Sequence, residues 1–275
     1  MNFATELPKR ALIQLEGPDK VSFLQGLITN DVTTLEQGKP IYAALLTPQG
    51  KFLFDLFIFQ IEDVFLIDCE RERTSELIKR LSMYKLRSKV EITDLRDTYK
   101  VFAVSDKQLM PNEIQIIDPR LKELGYRLYT KNQSIDLKLS NNYENHRISL
   151  GVPDGSRDIP IDKGVILEYG FDELQAIDWK KGCYMGQELT ARTRYRGLVR
   201  KRLLPVKIEG ESPPPFMPIF LGDTEVGEMR SSASECGLAL LRLGFIRDSL
   251  PKLTCGNSQL TPYIPNWVKL PAAEE

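Results

Sequence analysis

The chain has 275 residues, 42% of them hydrophobic and 27% charged, and a formal net charge of −1. It is too long for one small core, which favours two domains, and too nearly neutral to bind nucleic acid or a membrane surface through general charge. No run of 18 apolar residues occurs and the opening MNFATELPKRALIQLEG holds no apolar signal core, so a cytoplasmic protein is expected, or a mitochondrial matrix protein after processing.

In chain order, Ala11–Leu15 reads as a short strand, and Gly17–Pro18 opens a helix whose apolar stripe is Val21, Leu24 and Ile28. Thr29–Asn30–Asp31 ends that helix as a turn of the kind Asn and Asp side chains stabilise. A hairpin follows: Ile41–Leu46, the turn Thr47-Pro48-Gln49-Gly50, then the phenylalanine-rich strand Lys51–Gln60. Alternation puts Asp55 on one face with Leu53, Phe57 and Phe59, and Phe54, Leu56 and Ile58 on the other. Both faces are apolar, so Asp55 is an acid in a strand that reads as buried. It needs partners there, which makes it a candidate functional residue. Val64–Cys69 continues the sheet, a helix carries Leu77, Ile78, Leu81 and Tyr84, and Val90–Thr93 closes a ferredoxin-like pattern. Val101–Ser105, Tyr126–Tyr129 and a helix over 141–150, which holds His146, read as a related second unit. Glu168 is a second acid attached to an apolar segment, Val165-Ile166-Leu167.

The stretch from Lys181 to Gly197, KGCYMGQELTARTRYRG, is the most distinctive. Two glycines bracket Cys183 and Tyr184, so the thiol is expected on a tight turn, presented rather than packed. From Lys180 to Arg202, eight lysines and arginines face one acid, Glu188; such a field would lower a thiol pKa and attract an anion. If the segment runs extended, Arg192, Arg194 and Arg196 share one face; a helix would instead spread them around its axis. Beyond it, short strands at Leu198–Glu209, Pro218–Leu221, Thr224–Met229 and Leu238–Phe245, with turns at Gly222-Asp223 and Gly256-Asn257, have the spacing of a small barrel. The boundary falls near residue 200, giving domains 1–200 and 201–275. With four scattered cysteines, no C-x-x-C and one histidine, no metal-ligand set is expected.

With K-G-C-Y-x-G-Q-E, Arg192 and Arg196–Gly197, the stretch resembles the signature of the YgfZ family. That family lies in the superfamily of the folate-dependent T-protein, the aminomethyltransferase of the glycine cleavage system. ELTARTRYRGLVRKRLLPV resembles the branch found in α-proteobacteria and in mitochondrial iron–sulfur assembly factors. FLQGLITNDV is similar to the T-protein's first helix, YAALLTPQGKFLFD to the hairpin with its key aspartate, ILEYGF to its pterin segment and GLALLR to its barrel. The likeness covers nearly the whole chain.

The resemblance implies an α+β fold, ferredoxin-like folate-binding units followed by a small C-terminal β-barrel, with tetrahydrofolate as cofactor. By the same resemblance, Asp55 faces the reactive folate nitrogens, Tyr42 lines the pocket and Glu168 holds the pterin. Lys181, Arg192 and Arg194 suit the glutamyl tail, and Gln187 joins the binding set. Where the T-protein has no thiol, this chain has Cys183, which with Asp55 carries any chemistry. Three functions follow as alternatives: a folate-binding accessory factor for assembly or repair of iron–sulfur clusters, a folate-dependent one-carbon (aminomethyl) transferase, and a protein- or RNA-binding face with a relic pocket. The first is the expected one, in a monomer whose partners are folate, iron–sulfur assembly proteins and client enzymes.

Overall fold

The computed structural model describes residues 3–108, 110, 113–131, 139–246 and 249–270. Its first elements are β1 (Ala4–Glu6), β2 (Arg10–Glu16), α1 (Lys20–Gln25), β3 (Ile41–Leu46), β4 (Phe52–Ile61), β5 (Val64–Glu70), α2 (Thr74–Lys85) and β6 (Glu91–Asp94). β7 (Lys100–Val104), β8 (Ile114–Ile117) and β9 (Tyr126–Thr130) follow. Next come α3 (Tyr143–Ser149), α4 (Gly155–Asp158), α5 (Gln187–Tyr195), β10 (Lys201–Glu209), β11 (Pro218–Leu221), β12 (Thr224–Ala233), β13 (Cys236–Arg242), β14 (Leu253–Cys255) and β15 (Ser258–Pro262). The chain divides into two units: Met1–Tyr143 with Leu174–Gln187, and Glu144–Glu173 with Glu188–Glu275.

In the first unit five strands form an antiparallel sheet in the order β3-β4-β5-β2-β6, and β1-β7-β9-β8 form a second. One face of the larger sheet (Ile13, Leu15, Phe54, Leu56, Ile58, Ile67) packs under α1 and α2, where Phe23, Leu24, Leu77 and Leu81 close the core. Burying these side chains is the main force holding the layers, at about 1.5–3 kcal/mol for each large apolar group. β4 is covered on both faces over its first eight residues, as its two-sided apolar pattern required. The strands at β1 and β8 carry too little apolar alternation to be read from sequence; they add to the edges of a sheet that β7 and β9 define.

The second unit contains a closed six-stranded barrel, β10-β13-β12-β11-β14-β15, around Leu204, Val206, Ile219, Met229, Leu241 and Leu260. Closure leaves no open sheet edge. β14 and β15 flank the expected Gly256-Asn257 turn and complete the ring. A buried ion pair braces this unit: Arg147 of α3 donates to Asp158 of α4 at 2.9 Å, and Asp158 also accepts from the Ser231 amide of β12 at 2.9 Å.

Candidate functional site: the anchored thiol loop and the buried Asp55 face

Between two buried side chains, Lys181 and Tyr184, the loop projects only Gly182 and Cys183 into solvent. Each support has an identifiable cause. The Lys181 ammonium is 7% exposed and donates to the Ile28 and Asn30 carbonyls at 2.7 and 2.6 Å. Its ring neighbour Tyr184 lies 5.3 Å from Nζ. The Met185 amide donates to the Gly26 carbonyl at 3.1 Å, and the Tyr84 hydroxyl of α2 donates to the Met185 sulfur at 3.3 Å. Gly186, at φ +81°, lies against the β3–β4 turn so closely that a Cβ would meet the Thr47 carbonyl oxygen at 2.6 Å. Glycine is therefore required at 186 by both conformation and space. Gly182 has neither constraint, with no positive φ and nothing within 4 Å of its would-be Cβ.

The Thr29–Asn30–Asp31 triplet is the other half of this anchor. Thr29 accepts from the Ala44 amide and donates to the Ala176 carbonyl, joining β3 to the segment before the loop. Asn30 donates to the Tyr42 and Gln175 carbonyls at 2.7 and 2.8 Å. Asp31 accepts from the Thr33 amide; burial opposes its charge, but these hydrogen bonds and Lys181 hold its pKa below the usual value. The triplet is thus a clamp built from side-chain hydrogen bonds rather than the expected end of the first helix, which stops at Gln25.

Of the four thiols, Cys183 is the exposed one; Cys69 and Cys255 are buried and Cys236 is half-buried. Burial pushes Cys69 up to about 12 and raises the other two above the ordinary thiol value, keeping all three protonated at neutral pH.

Part of the expected basic field is spent on other partners. Gln187–Tyr195 forms α5 rather than an extended segment, so Arg192 and Arg194 point to different sides of a helix, and Arg196 follows it. Arg192 pairs with Glu188 at 3.2 Å and Arg194 with Asp172 at 3.6 Å. Arg202, buried at 3% exposure, pairs with Glu173 at 2.9 Å. Asp172 and Glu173 precede the Lys180–Arg202 stretch in the chain, so the charge of that stretch alone overstates the field. Gln187 is half-buried at the helix start, its amide donating to the Tyr184 carbonyl.

Asp55 and Tyr42 share one face of the larger sheet, where Tyr42 pairs with Phe57 across the strands. Asp55 is 1% exposed and accepts from Arg10 at 3.0 Å; Arg10 also donates to the Asp68 carboxylate at 2.6 Å. The Tyr129 hydroxyl donates to the other Asp68 oxygen at 2.8 Å. Three guanidinium groups, from Arg10, Arg120 and Arg127, lie over the Phe57 ring at 5.4, 4.9 and 5.1 Å. Arg120 is bidentate on Asp118, and both Arg120 and Arg127 donate to the Tyr143 hydroxyl. Burial opposes ionisation of Asp118, yet the Arg120 charge wins and lowers its pKa; burial and the Asp55 charge push Tyr42 well above its usual value. Three aspartates thus face three arginines in a nearly dry, charge-balanced cluster. The sequence offered one cue for its missed members: Asp68, an acid inside the apolar run VFLIDCE.

In the second unit Glu168 is half-exposed on a 3-10 turn, Ile166–Tyr169. Gly170 ends the turn at φ +78°, where a Cβ would strike the Trp267 ring at 2.8 Å. Arg202 donates to the Leu167 carbonyl at 3.3 Å, fixing the turn that presents Glu168.

The donor set fits folate as a held ligand more readily than as a reacting one. A fixed, half-exposed carboxylate such as Glu168 suits the paired N–H donors of a pterin. Arg127, 3% exposed, leaves Nε and one terminal nitrogen without hydrogen-bond partners among the described residues, on the face that carries Tyr42. Asp55, in contrast, is committed to Arg10. Among the described residues no group of three or more His, Cys, Asp or Glu could hold a metal ion, and no helix is long and apolar enough to cross a membrane.

Residues 6–106 match the GCVT N-terminal domain family, and residues 200–270 match the CAF17 C-terminal beta-barrel domain family. The chain is similar to the mitochondrial iron-sulfur cluster assembly factor IBA57 of Mus musculus, 32% identical over 95% of this chain and 84% of that protein. The Homo sapiens protein of the same name is 31% identical over 95% and 84%. The IBA57 homolog of Mycosarcoma maydis is 37% identical over 76% of this chain, which spans only 58% of that relative. Among solved structures, glycine cleavage system aminomethyltransferase T from Bartonella henselae has a TM-score of 0.78 over 97% of this chain and 86% of that chain. At 14% identity that likeness shows the fold alone.

Proposed function

The chain belongs to the family of iron–sulfur cluster assembly factors IBA57, and from that premise we propose that it is a tetrahydrofolate-binding accessory factor for assembly or repair of iron–sulfur clusters in client enzymes. The observation that carries the reading is the presentation of Cys183, exposed at the tip of a loop whose supports are buried on both sides. A single thiolate cannot enclose a cluster, so Cys183 would supply one ligand or one reactive sulfur while a partner or client supplies the rest. The cluster is cargo in this scheme.

Each unit carries candidate folate residues of its own: Glu168, for the pterin, in the second, and Tyr42, the Asp55 face and Gln187 in the first. Asp55 serves there by charge and position, because its carboxylate is held by Arg10. Aminomethyl transfer would need that carboxylate free for proton transfer, and we do not propose it. Lys181 is assigned to support the loop rather than the glutamyl tail, since its ammonium is satisfied by backbone carbonyls. Arg192 and Arg194 reach a tail carboxylate only by exchanging their present acid partners. The relatives are named as mitochondrial, which accords with the matrix alternative for the site of action.

The test pairs two variants. Cys183→Ser should keep the fold and folate affinity yet fail to restore iron–sulfur enzyme activity in cells lacking the protein; full restoration would remove the thiol from the mechanism. Calorimetry with tetrahydrofolate should show Glu168→Ala weakened by about 1–3 kcal/mol, the cost of unpaired pterin donors, and equal affinity would end the folate assignment.

A further inference from the structure

The C-terminal end of α2 presents a side chain that the fold itself does not account for. Lys85–Ser88 forms a tight turn, closed by the Ser88 amide on the Lys85 carbonyl at 2.7 Å. Leu86 sits at its second position with φ 42° and ψ −106°, the geometry of a type II′ turn. That position strongly favours glycine, and a bulky residue there is strained. Leu86 recovers nothing by packing, for it is 88% exposed, and one turn earlier Met83 is 65% exposed. Neither backbone preference nor burial selects leucine, so what selects it lies outside this chain.

The charge around it is one-sided. Residues 79–89, KRLSMYKLRSK, contain Lys79, Arg80, Lys85, Arg87 and Lys89 and no acid. None of the five forms an ion pair among the described residues. Lys85 and Lys89 line a hollow that also holds Glu16, Asp63 and Glu91, and Leu86 and Arg87 line one that holds Asp19; five cations thus stand against these four acids, and the side without an acid is that of Lys79 and Arg80. Helical spacing places Lys79 and Met83 on the outward face, opposite the buried Leu77 and Leu81. The same end of α2 adjoins the thiol loop through the contact between Tyr84 and Met185.

We propose that this end of α2 is a docking surface for a protein partner with an acidic face and an apolar socket, which receives Leu86 and Met83. Two apolar side chains one turn apart make too narrow a face for lipid, whereas they suit a pocket ringed by carboxylates. The proposal does not rest on the cluster reading; a partner unconnected with clusters would satisfy it equally.

The full-length protein carrying p-benzoylphenylalanine at position 86, or at Phe216 of the other unit as control, is irradiated in cells. The protein captured from position 86 alone is then identified, purified and titrated. The expected partner is acidic and its affinity falls as salt rises. It should bind Leu86→Gly and Arg87→Glu about tenfold more weakly, although Leu86→Gly, relieved of strain, melts no lower than the parent. The proposal is overturned if no protein adduct is specific to position 86, or if the adduct is lipid and the protein sediments with vesicles of about 30% phosphatidylserine. A captured protein that binds both variants as it binds the parent overturns it as well.

Discussion

The thiol loop and the Asp55 face belong to the same unit and carry its two most conspicuous reactive groups, yet they treat those groups in opposite ways. The loop buries its supports, Lys181, Tyr184 and Gly186, and leaves Cys183 in solvent. The sheet face buries the carboxylate itself and ties Asp55 to Arg10, which Asp68 holds in turn while Tyr129 donates to Asp68. A group kept accessible at the tip of a rigid support is available to a second molecule. One locked into a dry ion-pair network mainly holds strands together, and its removal is costly because the partner charge stays buried. What separates the two groups is exposure: Cys183 is open to solvent and Asp55 is not.

The largest expected effect breaks this contrast at the sheet. Asp55→Ala leaves the Arg10 guanidinium short of a partner inside the unit and should cost about 3–5 kcal/mol in denaturant unfolding, whereas Cys183→Ser should change stability by less than about 0.5 kcal/mol. If Asp55→Ala unfolds at nearly the parent's denaturant concentration, the ion pair is not the structural tie described. The next effect lies within the loop. Gly186→Ala forces a Cβ toward the Thr47 carbonyl and an unfavourable φ, at about 2–3 kcal/mol, while Gly182→Ala, with open space around it, should cost less than about 1 kcal/mol. Equal costs for the two alanines would mean that Gly186 does not seat the loop on the hairpin turn.

These contrasts also mark what the sequence could say. The hairpin turn Thr47–Gly50, the two-sided burial of β4 and the isolation of Asp55 were legible, because turn chemistry and a period of two are local signals. The Thr29–Asp31 triplet was legible only as a turn; that it clamps Ala176 and Gln175, 147 and 145 residues away, was not. Arg10, Arg120 and Arg127 were not legible: nothing in a sequence marks an arginine as buried until the strands that bring carboxylates to it are placed. Helix α5 was left undecided for a related reason. Alternating arginines satisfy a period of two as well as a charged helix does, and the acids that settle the matter, Asp172 and Glu173, come from a distant turn. Strands β14 and β15 escaped because three- and five-residue strands carry too few alternations to read.

The smallest effect concerns pH and sharpens the account of the loop's anchor. Burial draws the Lys181 pKa down to about 8, against the pull of Asp31 and Asp178. The unfolded chain titrates near the ordinary lysine value of 10.5, so between these limits the unfolded state holds a proton that the folded state has released. Stability from this group is therefore lowest below pH 8 and rises as the pH climbs toward 10.5. The buried thiols work in the opposite sense, since Cys69 stays protonated to about 12 when folded, so the measurement has to be a difference. Lys181→Met loses the two carbonyl contacts and is the less stable protein at pH 7. Its deficit should then widen between pH 8 and 10, by a fraction of the limiting ~1.4 kcal/mol per pH unit because solvent screens the ammonium in part. A deficit that stays constant from pH 7 to 10 would show that the ammonium is as well solvated in the folded protein as in the unfolded chain, and Lys181 would then be a surface lysine rather than the buried foot of the thiol loop.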